Sequence, residues 1–303
     1  MDNVLTEAHV RALAVGTPLL LACLGAILNE RAGVVNLGVE GLMAVGALAA
    51  FAVAASSPDA NLWLAVGASM LAGAALALLH AVATITLRAN QFVSGLALAL
   101  IGTGAAGLLG KRFEGLPLFN KVADWNLGGF TISPFMVAAL LLAGAMAFWL
   151  GATRSGLTLR SVGENPAAAD VLGVNVGLTR MLAVLGGGAL AGLAGAFLAL
   201  SYRSSWADNM TAGLGWIAVA LVIFVAGGAA RHCRGAVLRV PVLPAVPPSG
   251  QQSRPHRGLQ RHAVRAGPGR AGPGGHARSG RERARRAGPR VRARRTVTTG
   301  NSQ

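Results

Sequence analysis

The chain has 303 residues, 53% of them hydrophobic, and a formal net charge of +16. Such a chain is either one large soluble domain or a bundle of membrane spans, and two cysteines, Cys23 and Cys233, support neither a disulfide framework nor a metal site. The charge is not spread over the whole: residues 1–225 hold ten Lys/Arg and ten Asp/Glu, while residues 226–303 hold seventeen Arg and one acid, Glu282.

Seven stretches are apolar over about the 20 residues a helix needs to cross a bilayer: 12–28, 32–55, 62–87, 89–110, 132–153, 181–202 and 212–230. Only the second contains a charge, Glu40. A soluble core helix shows a polar stripe at helical period, whereas these segments are apolar all round, so lipid is the expected solvent. Asp2 and Glu7 precede the first arginine, Arg11. No small-residue cleavage site follows the first apolar run, which therefore reads as a span rather than a leader. The expected fold is an all-α, polytopic membrane bundle of about seven spans, occupying residues 1–225.

The approach to the second span, Asn29-Glu30-Arg31-Ala32-Gly33-Val34-Val35-Asn36-Leu37-Gly38-Val39-Glu40-Gly41, is unusually polar. Polar groups in hydrocarbon face a cavity or a partner helix. Read as one helix, the segment puts Asn36 and Glu40 on the same face. Gly33, Gly38 and Gly41 allow a bend or break where the backbone is buried or lines a path. Two readings stand: a pathway-lining element, or a structural knot with Glu40 bonded to another span or to open backbone N–H groups.

The loop 111–131, with Gly115, Pro117, Gly128 and Gly129, reads as a surface connection. Between the fifth and sixth runs, Gly163-Glu164-Asn165-Pro166-Ala167-Ala168-Ala169-Asp170-Val171-Leu172-Gly173 spells a short capped helix. Asn165 suits the N-cap, Pro166 the first helical position and Gly173 the left-handed C′ position. Such a helix is either an ordinary connector or a knob that docks in a partner. If this loop is cytoplasmic, alternation places Arg31 and Arg88 on the same side and Arg11, Lys111, Arg112 and Lys121 on the other, which obeys the positive-inside rule only in part.

Gly188 and Gly192 form a GxxxG pair inside the sixth run, the usual device for close helix approach in lipid. Trp206 and Trp216 flank a polar, Gly-containing turn and read as interfacial anchors. His80 reads as hydrogen-bonded packing. No HExxH, CxxC, GxSxG or phosphate-binding GxxxxGK[ST] motif occurs, so the chain is expected to be no enzyme and to hold no metal or cofactor.

These segments together resemble permease subunits of ABC importers for branched-chain amino acids, ribose-like sugars and nucleosides. Residues 29–43 resemble the motif opening the second span in the simple-sugar and nucleoside branch. Asn90-Gln91-Phe92-Val93-Ser94-Gly95-Leu96-Ala97-Leu98 resembles that branch's next block, 163–173 its coupling loop, and 208–224 the block opening a late span. Ala99 and Leu214 stand where that branch often has Asn and Arg.

The resemblance implies a permease of the cell inner membrane that moves a small polar solute by alternating access, a simple sugar or nucleoside being favoured. It implies Asn36, Glu40, Asn90, Gln91 and Ser94 as pathway candidates. It implies Gly163, Glu164, Asn165, Pro166, Asp170 and Gly173 as the loop that seats in an ATPase subunit. The expected partners are that ATPase, a second and different permease, a periplasmic or lipid-anchored substrate-binding protein, and membrane lipid. The rival is a self-sufficient carrier or channel with Glu40 as its proton-linked group.

Residues 226–303 contain no Phe, Trp, Tyr or Lys and consist mostly of Arg, Gly, Ala and Pro. They can form no span and bury no core. A phosphate-binding arm, a disordered extension and a shifted reading frame compete as explanations. Ala, Arg, Gly and Pro share GC-rich codons, so the frameshift is the favoured reading, and no specific nucleic-acid partner is expected. The resemblance implies further family spans after Phe224, which this chain lacks.

Overall fold

The computed structural model describes residues 2–225 except Pro58, Phe119, Gly128, Gly129 and Ser204. The basic tail, 226–303, and Cys233 lie outside the described residues. The chain runs through α1 (Asp2–Arg31), α2 (Val39–Ala54), α3 (Leu62–Ala81), α4 (Gln91–Gly110), a hairpin of β1 (Trp125–Leu127) and β2 (Phe130–Ile132), then α5 (Pro134–Ala152), α6 (Arg154–Glu164), α7 (Pro166–Val171), α8 (Val176–Phe197) and α9 (Leu214–Phe224). Helices α3 and α8 continue through π turns, Val82–Thr86 and Leu198–Tyr202. The fold is thus mostly helical, with one short antiparallel hairpin in the 111–131 loop.

Local sequence sets the helix starts. Asn61, Asn90, Asn165 and Asn175 each accept a backbone N–H of the first turn of α3, α4, α7 and α8, and Thr153 does so for α6. Each such cap contributes about 1 kcal/mol. α5 begins on Pro134, which has no N–H to leave open.

Among the described residues, four helices are long and apolar enough to cross a membrane: Leu62–Thr86, Gln91–Phe113, Pro134–Ala152 and Val176–Tyr202. α2 and α9 are apolar but shorter, 16 and 11 residues. The expected continuous second span is corrected here. Residues 32–38 are not helical, so Asn36 lies outside α2 and shares no helix face with Glu40. The cause is local. Gly33, at φ +76°, takes the left-handed position after α1, with Gly33 N donating to the Glu30 carbonyl (2.9 Å) and Val34 N to that of Asn29 (3.0 Å). The Asn36 side chain then accepts from Gly38 N (2.8 Å) and fixes the turn into α2.

α2 and α8 form the centre of the bundle, and α8 packs on α1, α2 and α3. The contact is made by glycines. A Cβ on Gly188 would strike Ala77 and Gly73 of α3, one on Gly192 would strike Ser69, and one on Gly195 would strike Met43 of α2. The Gly188/Gly192 pair is therefore a packing surface, as its spacing suggested. Outward residues of α3, α4 and α5, such as Leu71, Leu100 and Leu141, are exposed, which in lipid costs nothing.

Candidate functional site

Glu40 sits in the first turn of α2 and is 3% exposed. Its carboxylate accepts three hydrogen bonds. Thr211 Oγ1 (2.5 Å) and Gly213 N (2.9 Å) donate to Oε1, and Gly215 N (2.7 Å) donates to Oε2. Gly213 is the N-cap of α9, at φ +84°, so it offers no side chain to its own helix. Glu40 thus caps α9 from another span, where the open N–H groups and the positive helix end favour a carboxylate.

The segment 206–211 runs beside α2 with little regular structure. At one end Trp206 packs edge-on against Phe51, ring centroids 5.6 Å apart, and at the other Thr211 meets Glu40. Between Glu40 and Phe51, α2 rises by about 16 Å. That is roughly half the ~30 Å hydrocarbon core, and irregular backbone at such depth is stable only when buried in protein or lining a cavity. Asn209 (φ +53°) and Ala212 (φ +47°) hold left-handed backbone here, which is uncommon for residues with a side chain.

A cavity of about 460 Å³ opens between α2, α4 and this segment. Ala44, Ala47, Gly104 and Gly107 give it a small-residue wall, and Thr103, Lys111, Asp208, Asn209 and Thr211 bring polar atoms to it, beside Trp206. Thr103 Oγ1 donates back to the Ala99 carbonyl (2.9 Å). Asp208 Oδ1 accepts from Asn209 N (2.9 Å).

The pathway candidates do not line this cavity. Asn36 and Gln91 lie at the approach to α2, and Glu40 reaches the cavity's edge only through Thr211. Asn90 caps α4. Gln91 Oε1 accepts from Val35 N (2.8 Å). Ser94 Oγ pairs with His80 Nδ1 (3.0 Å), and His80 is fully buried. Ala99 is buried where α4 passes Gly41. Glu30, beyond the apolar run of α1, has its carboxyl pKa raised by burial against the opposing pull of Arg31. Sequence reasoning missed Thr103, Asp208, Asn209 and Thr211 as cavity residues. The signal available was the polar, Gly-containing stretch 206–215, which read as an interfacial turn.

The coupling-loop residues fall on α6, α7 and their flanks. Asn165 Oδ1 accepts from Ala168 N (3.0 Å), Pro166 opens α7, and Gly173, at φ +82°, closes it through Gly173 N to the Asp170 carbonyl (2.9 Å) and Val174 N to that of Ala169 (3.1 Å). The helix presents Val171 and Leu172, 88% and 82% exposed.

Several apolar helices around a polar cavity, with an interrupted helix start on each side, define a polytopic membrane transporter. The model of the family described as branched-chain amino acid transport system / permease component matches residues 9–245, and this chain belongs to that family. It is 41% identical over 248 residues to "Putative glucose ABC transporter permease protein TsgC13" of Haloferax volcanii, covering 77% of this chain and 74% of that one. It is 34% identical over 236 residues to the guanosine ABC transporter permease protein NupQ of Bacillus subtilis, covering 70% and 73%. It is 34% identical over 241 residues to the nucleoside ABC transporter permease protein NupC of Lactococcus lactis, covering 73% and 76%. No solved structure matches.

The chain is therefore a multi-pass inner-membrane permease subunit of an ABC importer, a transport component and not an enzyme, working with an ATPase and a substrate-binding protein. The self-sufficient carrier gives way to this assignment.

Proposed function

We propose that this permease passes a simple sugar or a nucleoside by alternating access through the cavity bounded by α2, α4 and residues 206–211. The observation that carries the reading is irregular, polar backbone lining a cavity beside a buried apolar helix. Its volume lies within the roughly 300–1,000 Å³ of small-molecule sites. Hydroxyl, carboxylate and amide groups from Thr103, Asp208 and Asn209 suit a solute rich in hydroxyls, and the relatives named for glucose, guanosine and nucleosides agree with that class. Asn36 and Gln91 hold the approach to α2, Glu40 holds the start of α9 and Asn90 that of α4, and with Ser94 they shape the inner end of the path.

In this reading 166–172 seats in the ATPase, with Val171 and Leu172 as its apolar contact and Gly163, Glu164, Asn165, Asp170 and Gly173 setting its shape. A second, different permease and lipid cover the exposed apolar faces. Residues 1–225 are the permease domain, and the Arg-rich stretch 226–303 is read from a shifted frame.

The test is uptake of labelled glucose, ribose and guanosine by the complete transporter in liposomes. Asp208→Asn lowers one charge-assisted acceptor to neutral strength, a loss of about 1 kcal/mol, which corresponds to roughly fivefold weaker half-saturation. Wild-type half-saturation in that variant, or uptake of none of the three solutes by the wild type, overturns the reading.

A further inference from the structure

We infer that residues 32–38 are the mechanical link through which α6 and α7 move the cavity wall. The inference rests on the reading that 166–172 seats in the ATPase. At one end of the link, Gly163 of α6 lies against the α1–α2 connection with no side chain between. A Cβ on Gly163 would strike the Arg31 carbonyl oxygen, and one on Gly33 would lie 3.3 Å from both Gly163 Cα and Arg180 Nη2. Arg180, at the start of α8, also donates from Nε to the Ala32 carbonyl (3.1 Å). Contacts of backbone on backbone have no rotamers to absorb a displacement, so a shift of α6 reaches 32–38 directly.

At the other end the link runs into α2, whose first turn carries Glu40, and Glu40 holds Thr211, Gly213 and Gly215. The link itself is not helical and is pinned by Gln91 through Val35 N. A short irregular segment between two rigid contacts is the kind of element that absorbs a change in φ and ψ while its neighbours stay intact. The chain of contacts is continuous from the exposed tip of α7 to the cavity. Contiguity alone shows no coupling, so the decisive quantity is an energetic one.

The experiment measures ATP hydrolysed per solute imported by the complete transporter in liposomes, together with membrane level and co-purification of the ATPase. Arg180→Gln removes the tie to Ala32. Gly33→Asn keeps left-handed backbone, which asparagine tolerates, and wedges a side chain toward Gly163. Gly144→Ala, where a Cβ meets nothing within 4 Å, is the control. The expected result is normal assembly in all three, with ATP consumed per solute raised about fivefold or more in the first two, the range of ordinary coupling energies. An unchanged ratio in both, with the ATPase bound, overturns the link. The docking reading fails separately, if Val171→Asp with Leu172→Asp leaves the ATPase bound and transport intact.

Discussion

Glu40→Gln separates a capping carboxylate from an ordinary buried polar group. The glutamine has the same shape, and its oxygen keeps two of the three donors, Thr211 Oγ1 and Gly213 N. Those two bonds fall from charged to neutral strength, a loss of about 1 kcal/mol each. The amide NH₂ then faces Gly215 N, so that bond is lost and two donors confront each other, costing a further ~1.5–3 kcal/mol. The sum is about 3–5 kcal/mol. For a domain of this size that shifts the melting point by on the order of 10 °C. The assay is thermal unfolding of the purified chain in detergent, followed by tryptophan emission, since Trp206 and Trp216 flank the affected turn. Thr211→Val removes one of the same bonds, so the double variant is expected to lose less than the two single losses added. A melting point within 2 °C of wild type for Glu40→Gln, or strict additivity with Thr211→Val, would show that the carboxylate does not hold α9.

Gly192→Val drives a branched side chain into the Ser69 carbonyl of α3, so membrane accumulation is expected to fall several-fold, while Gly67→Val, where a Cβ meets nothing within 4 Å, leaves it unchanged. Blotted membrane fractions read both. The frameshift reading of the tail predicts that DNA covering codons 215–303, translated in its other frames, yields apolar runs of about 20 residues. Sequencing that finds every frame as polar and Arg-rich as 226–303 removes it.

Much of the fold was legible because lipid imposes strong rules on sequence. Apolar runs near 62–87, 89–110, 132–153 and 181–202 correspond to α3, α4, α5 and α8, since an apolar run of bilayer length has few alternatives to a helix. Asn165, Pro166 and Gly173 marked both ends of α7 to the residue, because caps depend on the side chain at one position. The second run misled for the opposite reason. Residues 32–38 are apolar enough to extend a span, and hydropathy has no term for Gly33 turning left-handed or for Asn36 capping Gly38 N. α1 also begins far earlier than its apolar run, at Asp2, because helix continuation does not require apolarity.

The cavity was hidden by a different kind of distance. Glu40 and Thr211 are 171 positions apart, and nothing local to either states that one accepts from the other. Taken alone, Glu40 suggests a path, a proton or a knot with the open N–H groups of another span without saying which span, and 206–215 suggests a membrane-surface turn. Placed together they explain each other. The open N–H groups of α9 need an acceptor inside the bundle, and the carboxylate needs donors, so each removes the cost of the other. The same pairing frees 206–211 from any helical ladder. That segment is held by Trp206 on Phe51, by the buried Met210 and by Thr211 on Glu40, while α2, α3 and α8 are locked by glycine contacts along their length. Of the elements around the cavity, this one can change shape without unpacking a helix pair. The sites that alter the cavity without dismantling the bundle are therefore those two end contacts, Trp206 and Glu40, rather than the residues between helices.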